Sequence, residues 1–224
     1  MIKPSKNELK DLLSKGNMIP IYVSIPGDLL TPVSAYLKIS ENIKHSFLFE
    51  SVEGGSKISR YSFIGASPRE IFKTNNKDPL EGLENRFKDI SYVENPDLPT
   101  FSGGAVGYIS YECVKYFEKA TRPQFETLCS SQINDYFIPE SVFMIFDTVV
   151  VFDHLKHKIF IVSHYISSSF NERIYETAVN KIDSLISLLK SSSLSLPRQP
   201  SINKIHECRS NVQKEGFQKH LGFI

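Results

Sequence analysis

The chain has 224 residues, 41% of them hydrophobic, with 16 Phe, 10 Tyr and no Trp, which is apolar surface enough for one large domain or two small ones. Its 26 basic and 25 acidic residues leave a net charge of +1, so it lacks the long-range field of a nucleic-acid or anionic-membrane binder. The cysteines, Cys113, Cys129 and Cys208, are odd in number and far apart, which excludes a disulfide framework or zinc knuckle and fits a reduced, cytoplasmic compartment.

Residues 1–20, MIKPSKNELKDLLSKGNMIP, scatter their apolar residues among lysines and acids, so they hold no signal-peptide core. No apolar run reaches the roughly 18 residues of a membrane helix. Ile19 to Ile25 predicts a strand, and Thr31-Pro32 supplies a hydroxyl cap and a first-turn proline for a helix over VSAYLKISE. Phe47 to Gly65, FLFESVEGGSKISRYSFIG, predicts a hairpin: two apolar runs joined across a Gly54-Gly55 turn, with Glu50 and Ser51 at the end of the first. Asp78-Pro79 starts a second helix, LEGLENRFKDI, placing Leu80, Leu83, Phe87 and Ile90 on one face. FSGGAVGYISYE, Phe101 to Glu112, is glycine-rich and apolar. Ser141 to Asp153, interrupted by Asp147, predicts one long buried strand, pairing antiparallel with HKIFIVSHY across a turn at His154 to Lys158. Phe170 to Lys190 is the longest amphipathic run, and the serines and prolines of Ser191 to Asn203 predict a flexible linker.

Hairpins and helices in this order, without regular strand-helix-strand crossovers, predict an α+β fold with largely antiparallel sheets. The blocks FLFES with RYSFIG, DPLEGLENRFKDI (Asp78 to Ile90), FSGGAVGYISYE and SNVQKEGF (Ser210 to Phe217) resemble the N-terminal region of anthranilate synthase component I, in its fungal branch. The resemblance implies stacked antiparallel sheets flanked by helices. It also implies an organisation of 1–18 as N-terminal extension, 19–190 as N-terminal domain, 191–205 as linker and 206–224 as the start of a chorismate-binding domain. Because the family continues past such a helix into a larger C-terminal portion, the sequence is expected to be a fragment.

In that family the Leu-Leu-Glu-Ser element, here Leu48, Phe49, Glu50 and Ser51, belongs to the tryptophan feedback site. The residue chemistry is compatible: a carboxylate suits an α-ammonium group, a hydroxyl donates or accepts, Leu48, Phe49, Tyr61 and Phe63 offer an apolar wall, and Arg60 suits a carboxylate or orients Glu50. The effector residues are therefore expected to be Ser51, Glu50 and Arg60. Read from the residues alone, the commoner alternative is that Glu50 and Ser51 are exposed strand-end residues and Arg60 a solvated charge. Gly103, Gly104 and Gly107 lack phosphate-loop spacing and read instead as sites of close backbone approach beneath Tyr108 and Tyr111. Cys113 reads as a packed thiol. No metal-ligand pattern and no catalytic set is found.

The resemblance implies for the full-length enzyme the conversion of chorismate and glutamine-derived ammonia to anthranilate and pyruvate. It also implies magnesium as cofactor and a glutamine amidotransferase subunit, component II, as partner. The fragment itself is expected to bind no cofactor and to be inactive. Two alternatives stay open: the corresponding region of aminodeoxychorismate synthase, and a non-catalytic amino-acid-binding or interaction module.

Overall fold

The computed structural model describes residues 1–50, 60–118 and 138–191. The Gly54-Gly55 turn, most of the expected linker, and residues 206–224 lie outside them. Eight described strands form two antiparallel sheets. The larger contains β1 (Met18–Pro26), β2 (Ser46–Glu50), β3 (Tyr61–Ala66), β7 (Thr148–Asp153) and β8 (Lys158–Ile166), in the order β1-β8-β7-β3-β2. The smaller contains β4 (Glu70–Thr74), β5 (Gly104–Ile109) and β6 (Ser141–Phe146), in the order β4-β6-β5. The expected α+β class is what forms.

Strand alternation sorts the apolar residues into two cores. One face of the large sheet, with Ile19, Ile21, Ile64, Val150, Ile159 and Ile161, packs under three helices: α1 (Lys6–Leu12), α2 (Pro32–Ile39) and α5 (Glu172–Lys190). The opposite face, with Phe47, Val149, Val151, Phe160 and Val162, meets Val106 and Phe146 of the small sheet. On the outer face of the small sheet lies α3 (Pro79–Phe87), where the Arg86 guanidinium sits 3.8 Å from the centre of the Phe72 ring. The layers therefore run helices, large sheet, small sheet, helix. Residues 1–18 are part of the first layer: Leu9 is fully buried, and the Tyr175 hydroxyl donates to the Pro4 carbonyl at 3.0 Å.

The helix signals worked as read. The Thr31 hydroxyl accepts from the Ser34 N–H at 3.1 Å, Asp78 caps α3 at the Leu80 N–H, and both helices carry proline in their first turn. In α3, however, Leu80 is 47% exposed, and Ile90 lies beyond the helix. The expected apolar face is thus only partly used, because this helix covers a three-stranded sheet rather than a deep core.

One expectation is corrected. Ser141 to Asp153 is two strands, β6 and β7, and they belong to different sheets. The break is Asp147. Its carbonyl accepts from the His164 backbone N–H at 2.9 Å and from His164 Nδ1 at 3.0 Å, so Nδ1 carries the proton, since a carbonyl only accepts. Its carboxylate pairs with Arg69 at 3.1 Å. The carboxylate is half-buried, and the turn from one sheet into the other keeps it beside its cation. The antiparallel pairing of β7 with β8 forms as expected, with Asp153 opposite Lys158.

Burial holds the His164 pKa down to about 4, against a hydrogen bond to Asp147 that raises it. The unfolded imidazole titrates near its ordinary value of about 6.5. A depressed folded pKa means stability that is complete above about 6.5 and lost as pH falls toward 4. Urea denaturation should therefore show a loss from this residue of about 2.5 kcal/mol between pH 7 and pH 4.5. The difference between the wild type and His164→Gln should narrow by that amount over the same interval. A constant difference would show that the imidazole titrates at the same pH in the folded and unfolded states.

Candidate functional site

The expected hairpin is present as β2 and β3, in antiparallel register with Leu48 opposite Ile64, Phe49 opposite Phe63 and Glu50 opposite Ser62. This register divides the expected apolar wall. Phe49, Tyr61 and Phe63 share the face turned to the small sheet, while Leu48 is on the helical face and packs into the core there. Alternation puts Glu50, the exposed last residue of β2, on the side opposite Phe49. Ser51 lies outside the described residues.

Arg60 is neither solvated nor joined to Glu50. Its Nε donates to Asp153 Oδ1 at 3.2 Å and its Nη2 to Oδ2 at 2.8 Å, while its guanidinium lies 4.8 Å from the centre of the Tyr61 ring. Asp153 Oδ1 also accepts from the backbone N–H groups of Leu155 and Lys156, each at 3.1 Å. Burial pushes the Asp153 pKa up, but the bonds from Arg60 and the Lys156 backbone outweigh it and hold the carboxyl below its ordinary value. No local signal marks Asp153 as the partner. It stands 93 positions from Arg60, and only the pairing of β3 with β7 brings the two together.

The structure does unite two of the blocks that carried the resemblance. Phe49 and Phe63 of the hairpin, with Phe101, Ala105, Val106 and Gly107 of FSGGAVGY, line an open apolar cleft of 330 Å³ that Phe143 also lines. Phe63 and Phe101 meet edge to face with ring centres 5.3 Å apart, and the Tyr61 ring lies 6.0 Å from Phe63. A row of rings thus leads from the Arg60 guanidinium to the cleft. Two of the glycines make the approach possible. A Cβ on Gly107 would overlap the Val142 carbonyl of β6, and one on Gly103 would stand 2.7 Å from His164 Cε1. Close backbone approach, and not phosphate binding, is the use of these glycines. Phe101 and Phe143 were missed as lining residues; Phe101 opens the glycine block, which was the one available signal.

Other candidates have structural employment. Cys113 is fully buried, with its Sγ 3.5 Å from the Glu140 carbonyl. Glu140 bonds Lys115 at 2.5 Å and the Tyr116 hydroxyl at 2.8 Å, tying the segment after β5 to the start of β6. Among the described residues no three His, Cys, Asp or Glu side chains converge as metal ligands, and no helix is long and apolar enough to cross a membrane. The described residues do not fit a magnesium site, and no chemical step is routed through one.

Asp153→Asn should lower stability at pH 7 by about 2 kcal/mol, because it removes a buried charge that accepts four hydrogen bonds. Urea midpoints of the two proteins measure this. A change under a few tenths of a kcal/mol would mean that water replaces Asp153 around Arg60 at no cost.

The chain is similar to several known proteins. A protein from Schizosaccharomyces pombe described as probable anthranilate synthase component 1 is 41% identical over 222 residues, covering 97% of this chain and 44% of that protein. Anthranilate synthase component 1 of Saccharomyces cerevisiae is 37% identical, covering 100% of this chain and 46% of the yeast protein. The chain therefore spans less than half the length of these relatives. Among solved structures, anthranilate synthase component I from Streptococcus pneumoniae aligns with a TM-score of 0.46 and 23% identity over 75% of this chain and 37% of that one. The chorismate binding enzyme family matches residues 44–222, a span that includes both blocks lining the cleft, and the chain belongs to that family.

Proposed function

We propose that this chain is the N-terminal regulatory and structural region of an anthranilate synthase component I, and that the cleft between its two sheets receives tryptophan as feedback effector. The observation that carries the reading is the convergence of the hairpin and glycine blocks on one ring-lined cleft. Four phenylalanines, from β2, β3, β6 and the segment before β5, match the flat apolar face of an indole. Ser51, two residues after Phe49, offers a hydroxyl to the amino-acid end, and Glu50, turned to the other side of β2, contributes its carboxylate from the strand end rather than from the cleft wall. Arg60 contributes as a charge fixed by Asp153 at the end of the ring row.

On this reading the longer enzyme converts chorismate and ammonia to anthranilate and pyruvate in the cytoplasm, with magnesium and with ammonia supplied by the component II amidotransferase. Catalysis is assigned to the family's C-terminal portion, and no activity is proposed for the present chain by itself. Regulation follows from linkage. Tryptophan lowers activity only to the extent that it binds one conformation better than another, so a change that weakens its binding weakens inhibition in step.

The test is a tryptophan inhibition curve on the full-length enzyme with its amidotransferase partner. Ser51→Phe fills ligand space and removes a hydroxyl, each effect worth about 1 to 3 kcal/mol, so the half-inhibitory concentration should rise roughly tenfold or more with uninhibited activity near normal. An unchanged curve places the effector elsewhere. Loss of activity without tryptophan makes Ser51 structural.

A further inference from the structure

On the helical side of the large sheet, away from the ring-lined cleft, an open groove of 470 Å³ runs between α5, the C-terminal end of α2 and the adjoining ends of β3 and β7. Its α5 wall is one stripe: Thr177, Asn180, Lys181, Ser184, Leu185 and Leu188, at the three- and four-residue spacing that aligns side chains along a helix. This stripe borders the core face of the same helix, where Tyr175, Ala178, Ile182 and Leu189 are buried, and its Leu185 and Leu188 are partly buried against that core. It is graded along its length. The polar end is Thr177 to Ser184, and the apolar end is Leu185 and Leu188, with Ile39 and Ile43 of the α2 side also in the lining.

Two further features bear on what the groove holds. First, a void of 30 Å³ continues inward from it, sharing Ile39, Ala66, Thr148 and Leu185 with the groove and reaching Val149 and Val150. That is room for about one water-sized or methyl-sized group, too little for a ring. Second, Lys181 carries a charge that no described ion pair answers. Asp147 feels it, but the Asp147 carboxylate is already paired with Arg69 at 3.1 Å. The Thr177 and Ser184 hydroxyls are spent on the Arg173 and Asn180 carbonyls of their own helix, which leaves Lys181 and the Asn180 amide as the polar groups at that end. One ammonium and one amide suit a single negative charge rather than a phosphate.

We propose that this groove binds a medium-chain aliphatic carboxylate, with its head group at Lys181 and Asn180 and its chain laid along α5 toward Leu185 and Leu188. The distance from Lys181 to Leu188 along the helix is about 10 Å, the span of a short acyl chain and not of a lipid that must cross the molecule. The site is independent of the effector reading, since the large sheet separates it from the cleft.

Octanoate titrated into the purified chain, followed by methyl and amide NMR shifts, tests this. The expected result is a saturable set of shifts at Ala66, Thr148, Leu185 and Leu188. Lys181→Gln, an exposed change that leaves the fold intact, should weaken binding about fivefold. Ala66→Leu should block the inner end and weaken it by about tenfold or more, and Lys181→Gln alone carries the test if that variant fails to fold. Octylammonium should bind more weakly than octanoate. The proposal is overturned by an absence of saturable shifts, by equal binding of the two probes, or by binding that Lys181→Gln leaves unchanged. It is also overturned if the groove proves to be filled by a second copy of the chain, seen as concentration-dependent self-association that Leu188→Glu abolishes.

Discussion

The Asp147 carbonyl accepts two hydrogen bonds from one residue, His164, through its backbone N–H and its ring Nδ1, and this is where a single apolar run becomes two strands in two sheets. The contact is costly to disturb from either side. His164 is 6% exposed, so a ring that lost the carbonyl would leave a buried donor unmatched. Asp147 is held from a second direction by Arg69, which also donates its backbone N–H to Ile145 of β6. The corner is thus fixed by β8, by β6 and by the segment leading into β4 at once.

What the corner positions is the glycine block. Gly103 lies against the His164 ring, and the neighbouring Ser102 hydroxyl reaches His164 Nε2 at 3.5 Å while also meeting the Tyr92 hydroxyl at 2.9 Å. From that anchor β5 runs along β6 and brings Val106 onto the face of the large sheet. The ring-lined cleft is therefore a product of topology. Its hairpin wall belongs to one sheet and its glycine wall to the other, and the two are joined through a buried histidine remote from both in sequence. The groove along α5 has a different origin, in a helix stripe that the sheet beneath does not cover.

Local signals in the sequence were read correctly where chemistry is local. Thr31-Pro32, Asp78-Pro79 and the run ending at Lys190 each became a helix, and FLFES with RYSFIG became a hairpin. Long-range choices were not legible in the same way. Asp147 was visible as an interruption, but an isolated acid in an apolar run does not say whether a strand bends, bulges or changes sheet; that depends on Arg69 and His164. Likewise nothing near Arg60 in the sequence says that β7 brings Asp153 beside it. Of the expected wall of Leu48, Phe49, Tyr61 and Phe63, alternation turns Leu48 to the other face of the sheet. The family resemblance supplied the feedback-site expectation for Glu50 and Ser51, which no spacing argument in this chain provides.

If the hairpin and glycine blocks form one cleft shaped for an indole, tryptophan must perturb the rings that line it. The direct measurement is an L-tryptophan titration of the chain followed through the aromatic ring signals of Phe49, Phe63, Phe101 and Phe143. The chain has no Trp of its own, so every indole signal in the sample belongs to the ligand. Saturable shifts are expected at these four rings, together with ligand-to-ring transfer of magnetisation. Saturable shifts confined to other residues, or four rings that stay still while tryptophan inhibits the full-length enzyme, would contradict it.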